Sequence, residues 1–265
     1  MRRSSYNLAK ASGKESGRGQ SSEQKTGTSD ESFRSLSTMA APQKIQVDSA
    51  NKAGKCPAIL CDAENSKAGI IVLQEWWGLN QQIQDCGKEV SCGSKMVTLV
   101  PDLYRGKVAV DNETAGHYMG DLDWKGAIDD IQGCAQYLKG KGCVKVGVTG
   151  FCMGGALSMA AAALVPEIDA AVPFYGIPSA ELCDVTTIKV PLQCHFGDKD
   201  SVAGFSSPAE WKPLKAKLEA ALKSLEFYNY DCDHAFTNKT GANYNPDAAK
   251  LAFSRMFQFF QKNLS

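Results

Sequence analysis

A Gly-x-Cys-x-Gly pattern in the middle of the chain constrains the fold more than any other feature. Gly150, Cys152 and Gly154 form it, between an alternating β-branched run at 144–148 and a run of helix-forming residues at 155–164. A strand that turns sharply into a helix holds its central residue above the sheet, at the helix N-terminus. The glycines are needed because no Cβ fits where strand and helix approach closely. The pattern therefore predicts an α/β sheet that presents a nucleophile, here a thiol.

The alternative is that Cys152 is an ordinary buried cysteine, since free cysteine packs as a small hydrophobe. The chain has 10 cysteines, no two of them spaced as Cys-x-x-Cys, and several fall within apolar, strand-like runs. A disulfide framework is therefore not expected, and the cysteine usage favours a reducing compartment, interpreted here as the cytoplasm. His117, His195 and His234 are far apart in the sequence, so no metal site is predicted.

Length and charge narrow the class of protein further. The 265 residues are enough for one large α/β domain, and the hydrophobic content of 43% is ordinary for a soluble globular protein. The formal net charge of +0 suggests neither a nucleic acid nor a membrane surface as partner. No apolar run approaches the roughly 20 residues that a membrane-spanning helix needs.

Residues 1–44 differ from the rest of the chain. They are rich in Ser, Gly, Lys and Arg and have almost no aliphatic periodicity, so we expect a disordered tail. Their excess of basic residues is a feature of organelle transit peptides, but such peptides carry few acids, and this tail has Glu15, Glu23, Asp30 and Glu31. A single domain is predicted for residues 45–265.

Strands and helices alternate within this domain. The apolar run at 68–74 is typical of a strand buried on both faces, and apolar residues recur at helical spacing over 123–138. Further strands are predicted at 96–100, 144–148, 168–175, 189–196 and 225–230, and helices at 80–91, 155–164, 208–222 and 247–262. This alternation predicts a mostly parallel sheet covered by helices on both faces, with the functional site at the carboxyl ends of the strands.

A cysteine nucleophile needs a base, and two histidines follow Cys152 along the chain. His195 lies inside the apolar run 191–196, which favours a structural histidine within a strand. His234 follows the strand predicted at 225–230, in a loop, and this is where the base is expected.

The acid that orients this base is expected just after the preceding strand. Asp198 and Asp200 both lie there, and the local sequence does not choose between them. Asp231 and Asp233 are too close to His234 in sequence for the usual geometry and are interpreted as loop residues.

Glu75 is a further candidate because it ends the buried run at 68–74 and is followed by Trp76 and Trp77. A carboxylate in apolar, tryptophan-walled surroundings is costly unless it is paired or protonated. The alternative is that Glu75 clears the edge of the sheet into water. We favour a site role, because this loop is where a second oxyanion donor is expected.

Five short segments of the chain occur in the order found in one enzyme family. They are Gln74-Glu75-Trp76-Trp77-Gly78, Pro101-Asp102-Leu103-Tyr104, Gly150-Phe151-Cys152-Met153-Gly154-Gly155, His195-Phe196-Gly197-Asp198-Lys199-Asp200 and Asp233-His234-Ala235-Phe236. On these segments the chain resembles the dienelactone hydrolase family, the carboxymethylenebutenolidases of the α/β-hydrolase fold, over roughly residues 45–263. Each segment is weak alone, whereas five in order with cysteine at the turn are specific.

The resemblance implies a hydrolase of lactones, esters or thioesters that works through an acyl-cysteine intermediate, without metal or organic cofactor. It makes Cys152 the nucleophile, His234 the general base and Asp200 the orienting acid. Glu75 resembles the family's extra carboxylate, which pairs with the resting thiol and moves when substrate binds. The backbone N–H groups of Met153 and Trp76 match the oxyanion hole.

The expected partner is a small ester or lactone, and the chain is expected to be a monomer or small homo-oligomer. Family members acting on dienelactone anchor its carboxylate with arginines, and here Gly106 and Asn238 stand at those two positions, with Arg105 one residue early. Lys107 and Lys239 are the nearest replacements. Aromatic residues could line a more apolar pocket: Trp76, Trp77, Tyr104, Phe174, Tyr175 and Phe236. The substrate-binding prediction comprises Trp77, Tyr104, Arg105 and Phe236.

Two other classes share parts of this pattern. Glutamine-amidotransferase-like proteins also combine a cysteine at a sharp turn with a glutamate from an earlier strand. Their histidine usually follows the cysteine at once, where this chain has Met153. An α/β-hydrolase scaffold used for ligand binding or thiol sensing without catalysis is the alternative from a different class.

Overall fold

An eight-stranded sheet forms the centre of the protein, in a computed structural model that describes residues 41–63 and 65–265. The strands are β1 (Gln43–Val47), β2 (Cys56–Cys61), β3 (Ala68–Leu73), β4 (Val97–Pro101), β5 (Lys145–Phe151), β6 (Ala170–Phe174), β7 (Leu192–Gly197) and β8 (Leu225–Tyr230). The helices are α1 (Gln81–Ser94), α2 (Asn112–Gly120), α3 (Trp124–Gly140), α4 (Met153–Leu164), α5 (Pro208–Ala221) and α6 (Pro246–Leu264), with a 3₁₀ turn at Val185–Thr187.

The strand order across the sheet is β1-β2-β4-β3-β5-β6-β7-β8. β1 and β2 pair antiparallel, as do β2 and β4, and the other neighbours are parallel. β5 lies at the centre and runs directly into α4, so the sharp turn follows a central strand. This is the α/β-hydrolase fold that the sequence predicted.

Two layers of helices cover the sheet and bury an apolar core on each face. α1 contacts α6, and α3 contacts α4. Every residue of β3 and β4 is buried, as are all residues of β5 except its first, and burial on both faces explains the continuous apolar sequence of β3. The carboxyl ends of β3 and β5 lie side by side, with Leu73 opposite Gly150, so the loops that follow these strands meet.

Three elements were not predicted from the sequence: β1, β2 and α2. β2 is short and contains Pro57, which disfavours a strand assignment. β1 is an edge strand in which Val47 is the one fully buried residue, so it has no apolar pattern. α2 buries a single residue, Ala115. β1 also begins two residues before the predicted domain boundary at 45. The rest of the predicted tail, residues 1–40, lies outside the described residues.

Side-chain caps set where several helices begin. Asn80, Asp111, Asp123 and Asn245 each accept a hydrogen bond from a backbone N–H in the first turn of α1, α2, α3 and α6, respectively. α4 has no such side-chain bond, because its cap position is occupied by Cys152. Within the described residues, no helix combines the length and apolar character needed to cross a membrane.

Candidate active site

Cys152 occupies the turn between β5 and α4. Its backbone has φ +55° and ψ −116°, a conformation that is strained for residues other than glycine. The backbone N–H of Cys152 donates to the Phe174 carbonyl at 3.2 Å, which fixes the turn against β6. The residue is 8% exposed. The thiol therefore sits at the N-terminus of α4.

Gly154 allows the first turn of α4 to touch the end of β3. A Cβ built on Gly154 would lie 2.6 Å from the carbonyl oxygens of both Leu73 and Gln74. Any side chain there would push apart the turn at Cys152 and the loop that begins with Gln74. The close approach brings Met153, the first residue of α4, near the loop that carries Glu75 and Trp76. First-turn N–H groups of a helix have no partner within the helix.

His234 and Asp200 form a hydrogen-bonded pair at the ends of neighbouring strands. Nδ1 of His234 lies 2.8 Å from Oδ2 of Asp200, and the Asp200 side chain is fully buried while that of His234 is 15% exposed. The other oxygen of Asp200 accepts the Val202 N–H at 2.9 Å. Asp198, the alternative acid, is exposed and bonded to Asn229, so the structure brings Asp200 to the histidine and not Asp198.

The pKa of His234 lies well above its usual value, and the causes identify its neighbours. Burial by itself would lower this pKa, but the Cys152 and Asp200 charges and the hydrogen bonds of the ring with both side chains outweigh burial. The ring is therefore hydrogen-bonded to Asp200 and interacts with the Cys152 thiol. A raised His234 pKa favours the imidazolium form of this ring.

Ser206 joins this pair from the loop before α5, and no motif in the sequence indicated it. Its fully buried hydroxyl donates to Oδ2 of Asp200 at 2.9 Å and lies 3.0 Å from Nδ1 of His234. The hydroxyl restrains the carboxylate on which the histidine depends.

We expect Ser206→Ala to lower kcat/KM about tenfold, because one hydrogen bond to a charged group is lost while the pair itself remains. The measurement is the rate of p-nitrophenyl acetate hydrolysis. Ser207→Ala is the matched control, because Ser207 caps α5 through the Ala209 N–H and should cost about 1 kcal/mol of unfolding free energy without slowing turnover. An unchanged rate in Ser206→Ala would remove Ser206 from the site.

Glu75 follows β3 and is 3% exposed. Nδ2 of Asn238 donates to Oε2 at 2.5 Å, and the Tyr175 hydroxyl lies 3.4 Å from Oε1. Burial raises the pKa of Glu75, and the charge of His234 and the bonds from Asn238 and Tyr175 oppose that rise. The hydrogen-bond partners of Glu75 are thus Asn238 and Tyr175, and its pairing with the resting thiol, which the resemblance implies, stays a prediction.

Arg105 is not part of this arrangement, contrary to the sequence prediction that it binds substrate. Its guanidinium forms a bidentate ion pair with Asp130 of α3 at 2.8 and 2.9 Å, and it also donates to the carbonyls of Asp102 and Gly54. The Asp130 side chain is 1% exposed. Because a buried carboxylate needs this cation, Arg105 holds its loop against α3 and is not available to a substrate.

The aromatic residues predicted to bind substrate differ in accessibility. Trp76 and Trp77 are partly exposed and pack edge to face at 5.3 Å. Tyr104 is 7% exposed, and its hydroxyl lies 3.1 Å from Sδ of Met153. Phe236 is fully buried against Tyr175 and Tyr230, so it packs beneath the histidine loop and does not line a binding surface.

His195 has the structural role that its apolar strand predicted. It is fully buried, stacks on Phe174, and bonds to Tyr230 and Gln193 through its two ring nitrogens. Burial lowers the pKa of His195 to about 3, so this ring stays neutral. Within the described residues, no cluster of three or more His, Cys, Asp or Glu side chains is arranged to hold a metal ion.

Comparisons with known proteins agree with this architecture. A family model described as the dienelactone hydrolase family matches residues 57–264. "Protein usf" of Aquifex pyrophilus is 33% identical over 221 residues, which cover 74% of this chain and 89% of that protein. The carboxymethylenebutenolidase of Pseudomonas putida is 27% identical over 203 residues, covering 72% of this chain and 84% of that protein.

A solved structure is similar over most of the chain. It belongs to a Klebsiella pneumoniae protein assigned to the dienelactone hydrolases, with a TM-score of 0.70 and 24% identity, and covers 83% of this chain and 99% of that one. The segment matched by the family model contains the turn at Cys152 and both loops that carry Asp200 and His234.

Proposed function

The chain belongs to the dienelactone hydrolase family, and from that premise we propose that it is a cysteine-dependent hydrolase of lactones, esters or thioesters. One observation carries the proposal: the His234 ring is hydrogen-bonded to the buried Asp200 carboxylate and interacts with the Cys152 thiol, which occupies a strained turn at a helix N-terminus. A nucleophile, a base and a group that orients the base are thus neighbours in the structure.

The first half of the proposed reaction acylates the cysteine. His234 holds the proton of Cys152, and the thiolate attacks the carbonyl carbon. The carbon–oxygen bond then breaks, and the leaving alkoxide takes the proton from His234; in a lactone this alcohol stays attached to the acyl chain. Glu75 faces the imidazolium, and its negative charge supports the positive charge of that ring.

The tetrahedral intermediate needs donors for its oxyanion. We assign this role to the backbone N–H groups of Met153 and Trp76. Met153 is the first residue of α4, and Gly154 keeps the Trp76 loop close to it. Two preorganised donors of this kind suit acyl transfer, since loss of one typically costs about 3–4 kcal/mol of transition-state stabilisation.

The second half releases the acid. His234 removes a proton from water, the hydroxide attacks the thioester carbon, and the Cys152–acyl bond breaks to return the thiolate. Asp200 and Ser206 keep Nδ1 of His234 occupied, so Nε2 is the nitrogen free to exchange protons.

The acyl group is proposed to be uncharged, because the nearby cations are engaged elsewhere. Arg105 is paired with Asp130, Lys239 with Glu89 at 2.7 Å, and Lys107 lies over the Tyr118 ring. Asn238 uses its amide to hold Glu75. A substrate carboxylate near Glu75 would therefore meet a second negative charge, and none of these three side chains is free to balance it.

We expect a neutral aryl ester to be hydrolysed at least about tenfold faster, in kcat/KM, than an aryl ester whose acyl chain has the same length and ends in a carboxylate. p-Nitrophenyl butyrate and p-nitrophenyl hemisuccinate are a suitable pair, followed by a panel of lactones and thioesters. An acyl adduct on Cys152, detected by mass spectrometry, tests the mechanism. An adduct without turnover would favour the binding or sensing scaffold, and faster hydrolysis of the anionic ester would overturn the substrate assignment.

A further inference from the structure

The buried hydroxyl groups of Thr237 and Tyr175 form a series of contacts that ends at Glu75. The proposed reaction gives these two hydroxyl groups no role. The Tyr175 hydroxyl lies 2.6 Å from Oγ1 of Thr237 and 3.4 Å from Oε1 of Glu75. Tyr175 is fully buried, Thr237 is 4% exposed and Glu75 is 3% exposed. Burying polar groups in this way costs free energy unless each one forms a hydrogen bond. The donors and acceptors of the two hydroxyl groups therefore have to match the protonation state of the Glu75 carboxyl.

The backbone around Tyr175 is held in an unfavourable conformation. Tyr175 has φ +35°, and its N–H donates to the His195 carbonyl at 2.8 Å. The next residue, Gly176, is so close to the turn that a Cβ there would lie 2.1 Å from the Cys152 carbonyl oxygen. The Tyr175 ring meets the His234 ring edge-on at 5.1 Å. Strain of this kind persists where the surrounding structure over-determines it, and here it fixes the phenol between nucleophile, base and Glu75.

The phenol has one proton and two oxygen neighbours. When Glu75 is ionised, Thr237 can donate to Tyr175 and Tyr175 can donate to Glu75. When Glu75 is protonated, the direction can reverse, with Glu75 donating to Tyr175 and Tyr175 to Thr237. When Glu75 is ionised, the Thr237 hydroxyl can therefore donate to the Tyr175 oxygen, and the Tyr175 proton can bond to the carboxylate.

We propose that Tyr175, backed by Thr237, is a positioning residue that holds the Glu75 carboxylate in place and stabilises its ionised form. The proposal rests on the proposed function in one respect: Glu75 has to be ionised to support the His234 imidazolium. Tyr175 acts through Glu75 and does not touch the reacting atoms.

Tyr175 and Asn238 are neutral hydrogen-bond donors to Glu75, and the titratable groups around this carboxyl act on it in other ways. His234 faces Glu75 with a positive charge, and Cys86 of α1 also interacts with it electrostatically. Burial, with the charges of Glu89 and Glu75, raises the pKa of Cys86 well above its usual value, so this thiol stays neutral. Burial and the charge of Glu75 likewise raise the pKa of Tyr175, which keeps the phenol a donor.

The test is the pH profile of Tyr175→Phe, which removes the hydroxyl and keeps the ring. Because the pKa of Glu75 is raised by burial, its ionised form is lost on acidification at a higher pH than for an ordinary carboxyl. Without the Tyr175 donor, this acid limb of kcat/KM should move upward by a further pH unit or so. At a pH below the limb, the rate should then be about tenfold lower than that of the wild type. The limb is assigned as the one that disappears in Glu75→Gln.

Three further variants separate this role from a structural one. Tyr230→Phe, which loses a phenol bonded to His195, should leave the acid limb where it is. Thr237→Val should shift the limb in the same direction by a smaller amount, and Thr237→Ser should restore it. A Tyr175→Phe profile that overlies the wild type would overturn the proposal. If that variant does not fold, an unshifted Thr237→Val profile would do so.

The same inflection can be followed without turnover, as the pH dependence of Cys152 alkylation by iodoacetamide. A wild-type chain that hydrolyses no ester would sink the proposed function. The alkylation profile of Tyr175→Phe, compared with wild type, would still decide whether Tyr175 controls Glu75.

Discussion

Cys152→Ala is expected to abolish hydrolysis of p-nitrophenyl acetate, with a loss of at least about 10³-fold in kcat/KM. The mechanism has no other nucleophile to carry the acyl group, so the loss affects the chemical step itself. The thermal midpoint should stay nearly unchanged. Alanine fills less space at this position, but Cys152 is slightly exposed, and alanine has the same backbone restrictions at φ +55°.

Cys183→Ala is the matched control, since Cys183 is also a buried free cysteine but lies near the 3₁₀ turn at Val185–Thr187. It should keep full activity. If Cys152→Ala retained turnover while Cys183→Ala lost it, the nucleophile would have to be sought outside the turn between β5 and α4.

His234→Ala is expected to slow turnover by at least about 10²-fold, because the variant lacks the group that takes the proton of the thiol and later of water. Alkylation of Cys152 by iodoacetamide at neutral pH should slow as well, since the imidazolium that favours the thiolate is gone. Folding should survive, because Asp200 keeps its bonds to Ser206 and to the Val202 N–H.

His117→Ala serves as the control for this experiment, because the His117 side chain is 74% exposed on α2. Its rate should match the wild type. A His234→Ala enzyme with normal turnover would exclude His234 as the base, whatever the geometry of its contact with Asp200.

The fold was predictable because its central strands are buried on both faces. The continuous apolar run of β3 is typical of a strand inside a parallel sheet, and the glycines around Cys152 fix where β5 ends and a helix begins. β1 and α2 were not predictable, because each buries a single residue fully and leaves no apolar period in the sequence.

The proximity of the candidate site residues was predictable where the order of the strands determines it. It was not predictable where it depends on the direction of a side chain. Cys152, Asp200 and His234 follow three parallel strands whose ends share one edge of the sheet, so their proximity follows from topology. Ser206 has no pattern of its own. The sequence also could not reveal that Arg105 turns toward α3, because the buried Asp130 that attracts it lies 25 residues away.

The histidine loop after β8 combines several tasks in a few consecutive positions. His234, Thr237 and Asn238 face the acid–base groups, and Phe236 between them is fully buried. An insertion or deletion here would displace the proton acceptor, the hydroxyl partner and the amide together. We therefore expect this loop to vary by residue exchange at constant length, with Phe236 retained in the core.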